Sequence, residues 1–239
     1  MSQPTEPCQA ARKAVVFDLD GTLLDTLTDL WASVSYALAQ YALPLRSVCE
    51  VRQFLGNGAR QLVHLSMPDK NRIGTEEGKL SEELEEKVFA TFRTHYKVHS
   101  LDSTRPYPGI MEMLTACRQL GWKTAIVSNK PDTVVQDLHR RFFADQIDLA
   151  IGEQQPAVRR KPFPDMLELA LRRLDIDASH AVYVGDSEVD LQTARNAHVP
   201  CLAVAWGFRD ADWLEQQGAT TILSKPEEIV KALQIMQKN

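Results

Sequence analysis

Ala14-Val15-Val16-Phe17-Asp18-Leu19-Asp20-Gly21-Thr22 is an apolar run that ends in two aspartates and a glycine. Its first four residues read as a buried strand closed by turn-forming residues. Asp18 and Asp20 then fall at the strand's carboxyl end, the edge of an open α/β sheet where ligands bind. Alternate strand residues share a face, so an extended chain through Leu19 points both carboxylates the same way. Two close carboxylates repel unless a cation, a proton or a substrate separates them. The pair reads either as a metal site, or an acid beside a nucleophile, or as a plain strand-end turn. The rest of the chain has to decide.

Downstream of Pro106-Tyr107-Pro108-Gly109, strands and helices alternate. Strands are predicted at Lys123–Val127, Ile147–Ala150, Ala181–Val184, Cys201–Val204 and Thr221–Leu223. Helices are predicted from Pro131 to about Arg141, over Phe163–Leu174 and Leu191–Ala197, and around Trp213-Leu214. Such alternation implies an α/β fold, a doubly wound parallel sheet with helices on both faces. Residues 27–104 lack a convincing strand. Leu30, Val34, Ala37, Leu38 and Tyr41 recur at helical spacing, as do Leu84, Val88, Phe92 and Tyr96 behind a predicted N-cap at Ser81. Between them Gly56-Asn57-Gly58 opens a further helix, and Pro68–Lys79 is polar enough for a surface loop. The expected organisation is a Rossmann-like core, residues 12–26 and 105–239, with a helical cap domain, residues 27–104, inserted above Asp18 and Asp20.

The 239 residues are 44% hydrophobic and carry a net charge of −5, so a real core is expected and nothing resembles a basic stripe for nucleic acid. No apolar run approaches the roughly 18 residues of a membrane span, and residues 1–12 lack an apolar signal core. The four cysteines form no Cys-x-x-Cys pair, which argues against zinc and against a disulfide framework. A soluble, cytoplasmic protein is expected.

Three more predicted strand ends carry polar groups. Ser128-Asn129 precedes the helix opened by Pro131, where a hydroxyl, an amide and exposed N–H groups favour an anion, unless Ser128 is only a helix cap. Lys161 precedes a proline-started helix and offers one fixed positive charge. Gly185-Asp186 follows an apolar strand, with Asp190 one helical turn on. Asp186 is a candidate third acidic ligand beside Asp18 and Asp20, and Asp190 a candidate to orient Lys161 or the neighbours of Asp186. Three acids, one lysine and a Ser-Asn pair suit Mg²⁺, a hard cation that shares oxygen ligands with a substrate phosphate. The six histidines are scattered and read as surface or packing residues.

In order and spacing, Asp18-Leu19-Asp20-Gly21-Thr22, Ser128-Asn129, Lys161-Pro162 and Gly185-Asp186 with Asp190 resemble the four motifs of the haloacid dehalogenase superfamily. Leu55-Gly56-Asn57-Gly58, Ser128-Asn129-Lys130-Pro131 and Trp206-Gly207-Phe208 look most like its phosphoglycolate phosphatases, although many of those have threonine where Ser128 stands. The resemblance implies a Mg²⁺-dependent phosphomonoesterase acting on a small phosphorylated metabolite, 2-phosphoglycolate first, through an aspartyl-phosphate intermediate, and a monomer or homodimer is expected. By it, Asp18 is the nucleophile, and Asp20 is the general acid and then the general base. Lys161, Ser128 and Asn129 hold the phosphate, and Thr22, counted with the substrate-binding residues, stabilises the loop or the acid. Asp18, Asp20 through its backbone carbonyl, and Asp186 hold the metal. Substrate choice falls to Asn57, Gly58 and Arg60 in the cap, with Arg60 pairing a small carboxylate. A pyrophosphatase or another small-metabolite phosphatase of the same superfamily, and a sugar-phosphate mutase, are the alternatives on the same parts.

Overall fold

The structure is a computed structural model and describes residues 12–68, 78–154 and 156–238. In chain order its elements are β1 (Lys13–Phe17), β2 (Leu24–Asp25), α1 (Leu27–Gln40), α2 (Val48–Phe54), α3 (Gly58–Ser66), α4 (Gly78–His99), β3 (Arg105–Pro106), α5 (Ile110–Gln119) and β4 (Trp122–Pro131). There follow α6 (Asp132–Phe142), β5 (Leu149–Glu153), α7 (Asp165–Leu174), β6 (Ala181–Gly185), α8 (Glu188–Asn196), β7 (Cys201–Val204), α9 (Ala211–Gln216), β8 (Ile222–Leu223) and α10 (Glu227–Lys238).

Strand β1 lies inside a six-stranded parallel sheet of order β5-β4-β1-β6-β7-β8. The chain first winds outward through β4 and β5, then returns to the other side of β1 through β6. That reversal opens a crevice at the carboxyl ends of β1, β4 and β6, the place where such sheets bind ligands. The period of two is visible in β1. Val15 and Phe17 pack on one face with Ile110, Leu114 and Leu233. Ala14 and Val16 pack on the other with Met166, Leu167 and Ala194. Both faces are covered, which is why the strand is apolar from Ala14 to Phe17. This is the doubly wound α/β architecture that the alternating pattern implies, and helices α1 to α4 are inserted between its first and second strands in the sheet.

Those four helices carry their own apolar cluster, built from Leu30, Val34, Leu38, Leu62, Val88 and Phe92, with Phe208 joining it from the loop after β7. Strands β2 and β3 pair antiparallel, so the chain enters and leaves the helical insertion side by side. Asp29 in the first turn of α1 fastens the same junction. Its carboxylate accepts the Ser103 N–H at 2.9 Å, and the Thr104 N–H and hydroxyl each at 2.8 Å.

Several local expectations shift. Helix α4 begins at Gly78, so Ser81 lies inside it and not at its cap; Lys79 and Leu80 are good helix formers and carry the helix upstream. Of the loop expected over Pro68–Lys79, residues 69–77 lie outside the described residues and Gly78 and Lys79 are already helical. Strand β5 runs Leu149–Glu153, later than Ile147–Ala150, because Ile147 is drawn into the turn that closes α6 by its N–H bond to the Phe143 carbonyl. Helix α2 was not among the predicted elements; the pattern Ser47-x-x-Glu50, which forms a capping box, was its available signal. Helix α10 buries Ile229 and Leu233 against the sheet.

Removing the Asp29 carboxylate leaves N–H and hydroxyl donors at the junction without a partner. Asp29→Ala is expected to lower the free energy of urea unfolding by about 3 kcal/mol, and Asp29→Asn by roughly half as much. An unchanged midpoint in both would exclude this role.

Candidate active site

Lys161 is the centre of the site. Its side chain is 2% exposed, and its ammonium donates to Asp18 Oδ1 at 2.6 Å, to Asp190 Oδ1 at 2.7 Å and to the Tyr183 hydroxyl at 3.2 Å. An ammonium has three protons to donate, so this one is fully used. Asp18 comes from the end of β1 and is anchored there by its N–H bond to the Val184 carbonyl of β6. Asp190 comes from the first turn of α8, where its second oxygen accepts the Ser187 N–H and hydroxyl. The Tyr183 hydroxyl donates to Asp190 at 3.1 Å. Burial works against the lysine's charge, but Asp18 and Asp190 outweigh it and hold Lys161 protonated well beyond its ordinary range.

Asn129 sets the position of that lysine's backbone. Its side-chain oxygen accepts the Lys161 N–H at 2.8 Å, and its side-chain nitrogen donates to the carbonyls of Lys161 at 3.1 Å and Gly56 at 3.2 Å. The amide assigned from sequence to a phosphate is thus occupied in joining three loops. Gly58 lines the cavity described below and packs against the Asn129 backbone, while Asn57 stands at the N-terminus of α3.

Asp186 lies against the same cluster. One oxygen accepts the Phe208 N–H at 2.6 Å, and the other accepts the Thr22 hydroxyl at 3.2 Å. Two glycines make room for it. A Cβ on Gly21, which has φ +87°, would meet the Asp186 carboxylate, and one on Gly207 would meet both that carboxylate and the Gly21 carbonyl. Trp206 closes the loop by donating its indole N–H to the Thr22 carbonyl at 3.0 Å.

Asp18, Asp186 and Asp190 each bring a carboxylate oxygen within 4.8 Å of the others. Burial, with Asp190 and Asp18 adding, pushes Asp186 well above the ordinary carboxylate range. Burial also pushes Asp18 up to about 7, with Lys161 opposing and Asp190 and Asp20 adding. Buried acids of this kind share their charge comfortably only with a cation. Both oxygens of Asp190 are spent on Lys161, Tyr183 and Ser187, so Asp18 and Asp186 are the pair with capacity left. An all-oxygen set around two buried carboxylates fits a hard divalent ion.

The Asp20 carboxylate does not join that group. Its Oδ2 pairs with the Lys130 ammonium at 2.9 Å, and its Oδ1 is buried without a hydrogen-bond partner. The two aspartates of the opening motif therefore serve different lysines. Burial works against the Lys130 charge, and Asp20 and Tyr96 overcome it, so this lysine too is held protonated.

A cavity of about 530 Å³ joins these groups to the helical insertion. Asp18, Asp20, Ser128 and Lys161 lie on the sheet side, Phe92 and Arg93 on the α4 side. The Ser128 hydroxyl lines it and accepts the Lys130 N–H at 3.2 Å, so it does not cap α6. Arg60 is not among the lining residues. Its guanidinium is drawn to Glu86 at 2.7 and 3.3 Å and stacks over Phe89 on the outer face of the helices. Arg93 takes the place at the cavity that the sequence pattern suggested for Arg60.

The insertion is fastened to this floor from the core side. Arg209 donates to the carbonyls of Arg52, Gln53 and Leu55 at the end of α2 while it pairs with Glu188 at 2.9 Å. A guanidinium at a helix C-terminus satisfies carbonyls that the helix leaves open. Lys130, Tyr183 and Arg209 were missed in the sequence. A tyrosine inside an otherwise aliphatic strand, whose hydroxyl needs a buried partner, was the available signal for Tyr183.

The profile of the family described as haloacid dehalogenase-like hydrolase matches residues 15–204. The chain is 31% identical over 228 residues to phosphoglycolate phosphatase 1 of Pseudomonas aeruginosa, covering 94% of this chain and 82% of that one. It is 32% identical over 229 residues to a phosphoglycolate phosphatase of Neisseria meningitidis serogroup A, covering 95% and 93%. A crystal structure from Lactobacillus delbrueckii subsp. bulgaricus, itself proposed to be a phosphoglycolate phosphatase, superposes with a TM-score of 0.83 at 35% identity, covering 93% of this chain and 98% of that one.

Tyr183→Phe keeps the ring and removes only the hydroxyl between Lys161 and Asp190. It is expected to lower the unfolding free energy by about 1 kcal/mol. Asp190→Ala strips Lys161 and Ser187 of their shared acceptor and is expected to cost about 3–5 kcal/mol. Urea titration of the two variants checks the ratio.

Proposed function

The chain belongs to the haloacid dehalogenase-like hydrolases, and we propose that this phosphatase is a Mg²⁺-dependent phosphomonoesterase for small phosphate esters, 2-phosphoglycolate foremost. One observation carries the proposal: Asp18 from the end of β1 and Lys161 from the loop before α7, 2.6 Å apart, line one cavity, and Asp186 from the end of β6 brings a carboxylate oxygen within 4.8 Å of Asp18.

Asp18 is the nucleophile. Its carboxylate attacks phosphorus and forms an aspartyl-phosphate, which divides one hard displacement into two easier ones. Lys161 keeps that carboxylate in place and supplies positive charge against the phosphoryl oxygens. Asp18, the main-chain carbonyl of Asp20, and Asp186 would hold Mg²⁺. Bound there, the ion neutralises charge as a dianionic ester approaches a carboxylate. Asp20 gives a proton to the leaving alkoxide from its unpartnered Oδ1, and takes one from water when the phosphoenzyme is hydrolysed. Ser128, on the cavity wall, offers its hydroxyl to the phosphate.

In this reading residues 12–26 and 105–239 are the catalytic core, and residues 27–104 are a cap that excludes bulk water from the phosphoenzyme. Gly58 and its neighbour Asn57 shape the edge of the cavity. Arg93 faces the cavity from the cap and meets the substrate carboxylate. The setting is cytoplasmic, and no helix among the described residues is long and apolar enough to cross a membrane.

Phosphate release from 2-phosphoglycolate and other small esters, with and without Mg²⁺, tests the proposal. Wild-type protein should release phosphate only with the metal, and EDTA should abolish turnover reversibly. Asp18→Asn should form no acid-stable phosphoenzyme and lose at least about 10³-fold in turnover. Arg93→Ala should raise KM for 2-phosphoglycolate by about tenfold or more and leave a carboxylate-free ester little changed. Equal activity with and without metal, or a fully active Asp18→Asn, would sink the assignment.

A further inference from the structure

Lys130 lines the same cavity and pairs with Asp20, yet the mechanism so far gives it no role, and its surroundings are unusual. Its side chain is 6% exposed, and it extends from β4 of the core. The ammonium lies 2.9 Å from Asp20 Oδ2 and 2.9 Å from the phenolic oxygen of Tyr96. It also sits 4.9 Å from the centroid of the Tyr96 ring. Tyr96 belongs to α4, so this one buried cation has a partner on each side of the seam between core and cap.

A buried ammonium is costly unless its protons are accepted. Here the acceptors are a carboxylate that follows β1 and a hydroxyl carried by the cap. Asp20 has a second oxygen, Oδ1, that is buried and unpartnered, and the residue lines the cavity. With Oδ2 held by Lys130, the carboxylate cannot rotate its two oxygens freely. Oδ1 is left as the oxygen without a hydrogen-bond partner, on a residue that lines the cavity. If α4 moved away from the core it would take the Tyr96 hydroxyl with it. Lys130 would lose an acceptor and its packing against the ring, and would gain water and other orientations.

We propose that Lys130 is a positioning residue that fixes the orientation of the Asp20 carboxylate, and that its bond to Tyr96 makes this orientation depend on the seating of the cap. Given the assignment of Asp20 as proton donor, on which this rests, the enzyme is competent to protonate a leaving group only while Tyr96 is in place. Lys130 does not act on phosphate itself: the phosphoryl group belongs to Asp18 and Lys161, and Lys130 reaches it only through Asp20.

The full-length protein with Mg²⁺ provides the test. Leaving-group release is followed in a single turnover for two phosphate monoesters, p-nitrophenyl phosphate and a simple alkyl phosphate. The nitrophenolate departs without a proton, whereas the alkoxide needs one. Lys130→Met should slow the alkyl ester by about 10²-fold and the nitrophenyl ester less than about threefold. Tyr96→Phe, which keeps the ring, should slow the alkyl ester by about five- to tenfold with the nitrophenyl ester unchanged. Competitive inhibition by inorganic phosphate should be unchanged in both.

Equal losses on the two esters, or weaker inhibition by phosphate in Lys130→Met, would overturn the proposal and make Lys130 a structural or phosphate-binding group. Wild-type rates on both esters in Tyr96→Phe would remove the link to the cap. If Lys130→Met fails to fold, Tyr96→Phe decides by itself. A wild-type protein inactive on every ester, with normal folding, would overturn the phosphatase mechanism and this inference with it.

Discussion

The buried Lys161 ammonium is the interaction on which the rest depends. It holds Asp18 at 2.6 Å and Asp190 at 2.7 Å in a place that water barely reaches. Without it, two carboxylates would face each other in a low-dielectric crevice with no internal counter-charge. Burial already raises Asp18 to about 7, and Lys161 is the protein group that opposes the rise. The sheet serves this pair. Three elements that are distant in sequence must arrive at one crevice, and the reversal of strand order around β1 is what brings them there.

Around that pair the protein spends its polar side chains on placement. Asn129 uses its whole amide to tie Lys161 and the Gly56 loop together. Thr22, Phe208 and two glycines define where Asp186 can lie. The proposed reaction brings a carboxylate to within bonding distance of phosphorus, and such a step gains most from geometry set in advance. The same economy extends to the cap. Phe208 enters the apolar cluster of the insertion while its own N–H holds Asp186, so one residue belongs to the floor of the site and to the core of its cover.

Much of this was legible in the sequence. β1 and β6 announced themselves as apolar runs closed by acidic clusters, and the four polar clusters in order pointed to the family; Ser128-Asn129, expected at a strand end, lies inside β4, which runs on to Pro131, and Lys161 stands in the loop before α7, well beyond the end of β5 at Glu153. Helix α2 and the tyrosine of β6 carried local signals too, a capping box and a lone hydroxyl in an aliphatic strand. Arg60 shows where local reading ended. Its position near the glycine turn made it the natural candidate for a carboxylate, but Glu86, twenty-six residues away in α4, draws it to the outer face. Nothing near Arg60 in the chain reveals that neighbour.

The identity of the chemical groups, the placement of Asp18 and Asp186 at strand ends and the presence of a helical insertion were determined by the sequence alone, because they follow from hydrophobic periodicity and from residue types at turns. Which lysine each aspartate meets was decided only by the tertiary structure. Asp18 goes to Lys161 and Asp20 to Lys130, although a single residue, Leu19, separates the aspartates along the chain. Pairing between buried charges depends on distances set by how loops from separate strands pack, and a one-dimensional pattern contains the charges without those distances.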